Sequence, residues 1–273
     1  MAGTIFNSTK LPLTIWFRAM DPITQTKQSI SAQATAREPA AAGLDPFGSG
    51  SLDRRLGTTQ STAWKIKTKL AEVMRIDNDR TPLDGRGEMD DAYLGGRRKG
   101  GKTGRGSSGK RSIVGAVQNA DGKRPARLKV RRIGRFKRKR VKSLAKRIVA
   151  PRAFVVTDGL AYFRGLADAG CEHHPIVTAD DRHGAGHPSF DWLNRVLFNL
   201  KTAIAATCKA VRKKHLVRTL VEFEWRFNNR ENLAAMIPLL ATASTRTRPT
   251  RYSYLKWAAA SNGLTMVRKQ EVE

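Results

Sequence analysis

The 273-residue chain is short of cysteine, short of acid and without a long apolar run. Its two cysteines, Cys171 and Cys208, are too few for a disulfide scaffold and fit a reducing compartment. The longest apolar stretch near the start, Leu11 to Phe17, is flanked by Lys10 and Arg18 and supports neither a signal peptide nor a membrane span. The expectation is a cytoplasmic protein with no membrane partner. Acid is outnumbered: 23 Asp+Glu face 51 Lys+Arg, a formal charge of +28, far more than solubility needs. A polyanion is the default partner of such a chain.

What is present is ordinary for a folded protein. Hydrophobic residues make up 40%, enough for one sizeable core and a small accessory domain. Between Arg97 and Arg152 stand 22 Lys+Arg and one acid, Asp121. These basics interleave with Ile113, Val114, Val117, Leu128, Val130 and Ile133, so the stretch reads as a folded basic surface rather than a solvated tail.

Along the chain, residues 11–30 show helical spacing of Ile15, Trp16, Ala19, Met20 and Ile23. An Ala-, Gly-, Pro- and Ser-rich stretch at 32–50 reads as an insertion. A short helix around Leu52 and Leu56, a turn at Gly57 and a longer helix from Thr58 to Met74 outline a helix-turn-helix, a weak signal because any pair of helices looks similar. Strands follow at 88–94, 112–118 and 126–133, then a basic helix at 138–149, a buried strand at 153–157, a helix at 160–169 and a short strand near 175–178. Two long helices close the series, Phe190 to about Val211 and Lys214 to Asn228. This order describes an α/β fold, a ribonuclease H-like mixed sheet with flanking helices, behind a small helical N-terminal region. The expected divisions are 1–80 for the helical DNA-binding region, 81–235 for the catalytic domain and 236–273 for a C-terminal tail.

Two strand ends deliver aspartates into this basic setting. Asp90 and Asp91 lie on the first strand, where alternation lets only one of them face a site. Asp158 ends the apolar strand 153–157 just before Gly159, at the sheet's carboxyl end. Parallel pairing of the two strands would bring Asp90 and Asp158 close enough to share a divalent cation. Asn194 and Lys201 are seven residues apart, on one side of their helix, and could add an amide ligand and a phosphate contact. Spacing alone does not separate that pair from ordinary polar residues on a helix flank.

Gly3-Thr4-Ile5-Phe6, the run Thr9 to Phe17, Thr62-Ala63-Trp64-Lys65-Ile66-Lys67, the strand Asp90 to Gly96, Lys110 ahead of a strand, Thr157-Asp158-Gly159, Trp192 to Lys201, and Lys214-His215-Leu216 with Glu222 to Asn228 occur in collinear order. The combination resembles bacterial insertion-sequence transposases of the ISXO type, which have a DDE-type catalytic domain, one branch carrying Asn in place of the third carboxylate. The resemblance implies catalytic roles for Asp90, Asp158, Asn194 and Lys201, with Mg²⁺ or Mn²⁺, two ions, held by the first three. It also implies double-stranded DNA as partner, both terminal repeats and target, and a homo-oligomer assembled on DNA at the bacterial nucleoid. Arg97, Arg98, Lys99, Lys102, Arg105, Lys110, Arg138, Lys139, Arg140 and Lys201 are the expected DNA contacts. The sequence departs from the family pattern in lacking a cysteine-rich zinc ribbon ahead of Gly3, in the insertion at 32–50, and in Thr207-Cys208-Lys209, where relatives have Thr-Tyr-His.

Other patterns compete. Gly96 to Thr103 matches a P-loop and Gly104 to Gly109 a dinucleotide motif, yet both need a helix next and a strand is expected after Lys110. Cys171, His173, His174, His183 and His187 lack paired metal-ligand spacing. Two functional readings remain: an active transposase, or a catalytically silent remnant that only binds DNA.

Overall fold

The computed structural model describes residues 1–26, 52–95, 110–120, 124–176, 188–207 and 213–255. The insertion at 32–50 and the basics Arg97, Arg98, Lys99, Lys102 and Arg105 lie outside the described residues, as do Cys208, His183 and His187.

The helical N-terminal region comprises α1 (Leu13–Gln25), α2 (Leu52–Leu56) and α3 (Gln60–Asp79). Thr59 caps α3, its hydroxyl accepting the Thr62 N–H at 3.4 Å. Trp16, Met20 and Ile23 of α1 meet Ile66, Leu70, Val73 and Met74 of α3 in one core. The chain then forms strands β1 (Arg86–Leu94), β2 (Arg111–Ala120) and β3 (Arg124–Arg132), helix α4 (Arg138–Ile148), and strands β4 (Phe154–Thr157) and β5 (Glu172–Pro175). Helices α5 (Asp191–Thr207), α6 (Lys213–Asn228) and α7 (Met236–Thr245) follow. Residues 236–245, expected in a tail, thus form a helix, and Met236 and Leu240 join the core of α1 and α3.

Among the described residues the strands form one mixed sheet in the order β3-β2-β1-β4-β5. The first three are antiparallel; β4 lies parallel to both β1 and β5. This is the expected ribonuclease H-like sheet with flanking helices. Strand β2, between β3 and β1, is buried from Ile113 to Val117, with α4 against one face and α5 and α6 against the other. At Gly115 the helix α5 comes so near that an added Cβ would sit 3.1 Å from Leu193 Cδ1 and 3.0 Å from Leu197 Cδ2.

Two further elements differ from the sequence expectation. Residues 160–169 form 3-10 turns (Ala161–Gly165 and Ala167–Ala169) instead of an α-helix. Phe163 and Leu166, three residues apart, both enter the core beside α4, and a threefold period puts such a pair on one side. The last strand lies at Glu172–Pro175, not 175–178, because its register is set by β4, with Phe154 opposite Glu172 and Thr157 opposite Pro175.

Helix α6 joins the two halves. Leu216 and Leu220 pack on the sheet, whereas Val221 and Trp225 enter the N-terminal core. The indole N–H of Trp225 donates to Asp77 of α3 at 2.9 Å. Glu224, fully buried, accepts the Val130 N–H at 2.9 Å and pairs with Arg131, which also holds Asp79 at 2.6 Å. Burial disfavours the charge on Asp79, but Arg131 and Arg75 outweigh it and hold the carboxyl below its usual range. Part of the basic run is therefore structural: Lys129 and Arg131 serve this interior network, and Arg147 lies 3.8 Å from Asp79.

Candidate active site

The parallel pairing of β1 with β4 assembles the acidic site. Glu88 is in register with Val156, and the same register carried two residues further sets Asp158 beside Asp90. One carboxylate oxygen each from Asp90, Asp91 and Asp158 lies within 4.8 Å of the others, all three residues being half-buried.

The faces of the sheet are fixed by cross-strand pairs. Asp90 opposes Gly115, whose free side is filled by Leu193 and Leu197, so Asp90 looks toward α5. Asp91 opposes Val114, which belongs to the core on the α4 side. Alternation thus holds at the Cβ atoms, yet the carboxylates still meet, contrary to the expectation that only one of the pair could take part. The reason is an edge. Pairing with β4 covers β1 only from Arg86 to Glu88, so at Asp90 and Asp91 the strand borders an open notch and side chains from both faces can bend into it. Asp90 Oδ1 accepts the Asp91 N–H at 2.6 Å, which draws the two together.

Asp158 is held by its own turn. Its Oδ1 accepts the Leu160 N–H at 3.3 Å, and Gly159 takes a left-handed φ of 79° that a side chain would oppose. Thr157, completely buried, accepts the Gly159 N–H at 3.3 Å and lies 2.9 Å from His173 Nε2. Burial, together with His174 and Arg164, lowers the pKa of His173 below its usual value. His173, its Nε2 beside the Thr157 hydroxyl, braces the Asp158 turn, and Cys171 is buried among apolar residues of the α4 side.

Asn194 follows Leu193 on α5, over the face that carries Asp90, and is half-buried. Lys201, two turns on, is exposed. Of the expected DNA contacts that are described, Lys110, Arg138, Lys139 and Arg140 are also exposed. Arg138 is engaged by Asp168 through two bonds of 2.6 Å. After Lys110 comes strand β2, so no helix follows the dinucleotide pattern that ends at Gly109; the residues just after the P-loop pattern lie outside the described ones.

Sequence reasoning missed Glu88. It is 4% exposed and lies two residues before Asp90, on the same face. Asn119 Nδ2 donates to its Oε1 at 2.7 Å and the Leu193 N–H to its Oε2 at 2.9 Å. Burial pushes this carboxyl up from its ordinary value, against the pull of those two hydrogen bonds. The i, i+2 spacing to Asp90 was the available signal.

Three carboxylates at this separation repel one another and, as hard oxygen donors, suit a divalent cation. A family model, the ISXO2-like transposase domain, matches residues 82–228, from just before β1 to the end of α6. No curated protein matches the chain.

Proposed function

The chain belongs to the ISXO2-like transposase family, and on that premise we propose that it nicks the ends of an insertion sequence and joins them to target DNA. The observation that carries this reading is the convergence of Asp90 and Asp158, from strands far apart in sequence, with Asp91 beside them. Asp90, Asp158 and Asn194 are the proposed holders of Mg²⁺ or Mn²⁺, two ions in the complete site. Bound there, such ions polarise phosphate oxygens and acidify a water or a 3′-hydroxyl. Asp91 contributes a further negative charge, which offsets the charge that an amide at Asn194 lacks.

The remaining residues bind and orient DNA. Lys201 steadies a phosphate near the site, and Lys110, Lys139 and Arg140, with Arg97, Arg98, Lys99, Lys102, Arg105 and Arg138, follow the backbone. Helix α4 opens on Arg138, Lys139 and Arg140 with no acid in its first turn. Cations there oppose the helix dipole, and a DNA phosphate would relieve the conflict. Helices α2 and α3 are assigned to terminal-repeat recognition in the major groove. No helix among the described residues is long and apolar enough to cross a membrane. We place the protein in the cytoplasm, at the nucleoid, as a homo-oligomer assembled on its DNA.

The test is Mg²⁺-dependent nicking of a duplex carrying the element's terminal repeat. Nicking by the wild type and none by Asp158→Ala supports the reading. A wild type that binds the same duplex in a salt-sensitive way yet never nicks it is the silent remnant instead.

A further inference from the structure

Strand β1 carries a third carboxylate, Glu88, besides Asp90 and Asp91. Glu88 lies one pleat before Asp90, on the same face, but its oxygens turn to the α5 side rather than to the acidic notch: one accepts from Asn119 Nδ2, the other from the Leu193 N–H. That N–H belongs to the first turn of α5, where amide donors lack acceptors inside the helix and the dipole favours an anion. Phe190, immediately ahead of the helix, has no side-chain acceptor to offer. Glu88 therefore caps this donor from the sheet. The bond fixes the backbone of Leu193, and the next residue is Asn194.

A buried carboxylate is costly where a hydrophobic residue would fill the same space. Here it borders a polar cavity of about 190 Å³, also lined by Arg86, Asn119, Asp191 and Arg195, so the arrangement is not a sealed apolar contact. We propose that Glu88 is a positioning residue: it sets α5 so that Asn194 meets the cation held by Asp90 and Asp158, one strand thereby carrying both a ligand and the clamp for the ligand opposite. This rests on the function proposed above.

The test is Mn²⁺ binding to the purified full chain without DNA, followed by electron paramagnetic resonance, as a double-mutant cycle. Glu88→Asp keeps the charge but loses the reach to Leu193; it is expected to weaken Mn²⁺ binding about 10-fold when Asn194 is present and to have no further effect in Asn194→Ala. Glu88→Gln keeps an acceptor for the Leu193 N–H, and a flipped Asn119 can accept from its amide, so binding should stay within about 2-fold of wild type by the same measure. Equal weakening with and without the Asn194 side chain, or none in either, overturns the inference, as does failure of Glu88→Gln to restore binding. Mn²⁺ binding that survives Asp158→Ala overturns the functional reading itself, and this inference with it.

Discussion

Asn228, the last residue of α6, closes two hydrogen bonds on the backbone of Leu128 in β3: its Oδ1 accepts the N–H at 2.7 Å and its Nδ2 donates to the carbonyl at 3.1 Å. With Glu224 on the Val130 N–H, the helix takes over outward-facing groups of an outer strand, which would otherwise be free to pair with another chain. Asn228→Ala leaves a partly buried N–H and carbonyl without these partners. The expected loss is about 2 kcal/mol, read as the shift in a urea denaturation midpoint with unchanged slope. A midpoint unmoved by the substitution would show that water replaces the amide at no loss.

The acidic notch predicts opposite responses in metal binding and DNA binding. Asp91→Asn removes one of three converging charges. It should raise the Mg²⁺ concentration needed for nicking several-fold while leaving DNA affinity in chelator equal or slightly tighter, since one repulsive charge is gone. A titration of nicking against Mg²⁺, beside a binding isotherm in EDTA, separates the two.

The basic surface predicts a salt dependence. Lys139 and Arg140 are exposed in the first turn of α4, and each one that touches a phosphate contributes about 0.9 to the slope of log K against log salt. Lys139→Ala with Arg140→Ala should flatten that slope by roughly 2. Asp168→Asn, which releases Arg138 from its carboxylate partner, should instead tighten binding by a few-fold at low salt. An unchanged slope in the double variant would move the DNA path away from α4.

Lys129 gives a pH signature. Burial lowers its pKa to about 8 despite the attraction of Glu224. Below that value folded and unfolded chains both hold the proton and its burial penalty is fully present. Between about 8 and the ordinary 10.5 of an unfolded lysine, the unfolded state binds more protons, so stability rises with pH. The contribution is about 3 kcal/mol across that window. Denaturation of the wild type and Lys129→Met at pH 7.5 and pH 10 should show the rise in the first and its absence in the second, the other groups being common to both.

Much of this was legible in the sequence because it lies in periodicity. The continuous apolar run at 153–157 marked a buried strand, and alternating apolar residues in a basic stretch marked β2 and β3. The pairing of Asp90 with Asp158 followed from two strand ends. What escaped depends on neighbours the sequence does not order. Whether Asp91 reaches the site depends on where β4 stops covering β1, and whether Arg131 is a DNA contact or an interior ion pair depends on α6, nearly a hundred residues away. The role of Glu88 required knowing which helix end would arrive above it. The tail assignment failed to anticipate α7 because its apolar face finds its complement in α1 and α3, at the other end of the chain.

The order in which the sheet is threaded has a consequence during synthesis. The antiparallel β1, β2 and β3 emerge together and can pair at once, with much of their positive charge already displayed. Asp158 arrives only with β4, after α4 has crossed over, and Asn194 later still. On the function proposed above, a nascent chain still on the ribosome would hold nucleic acid well before it owned a centre able to cut it, and scission would wait for the final third of translation.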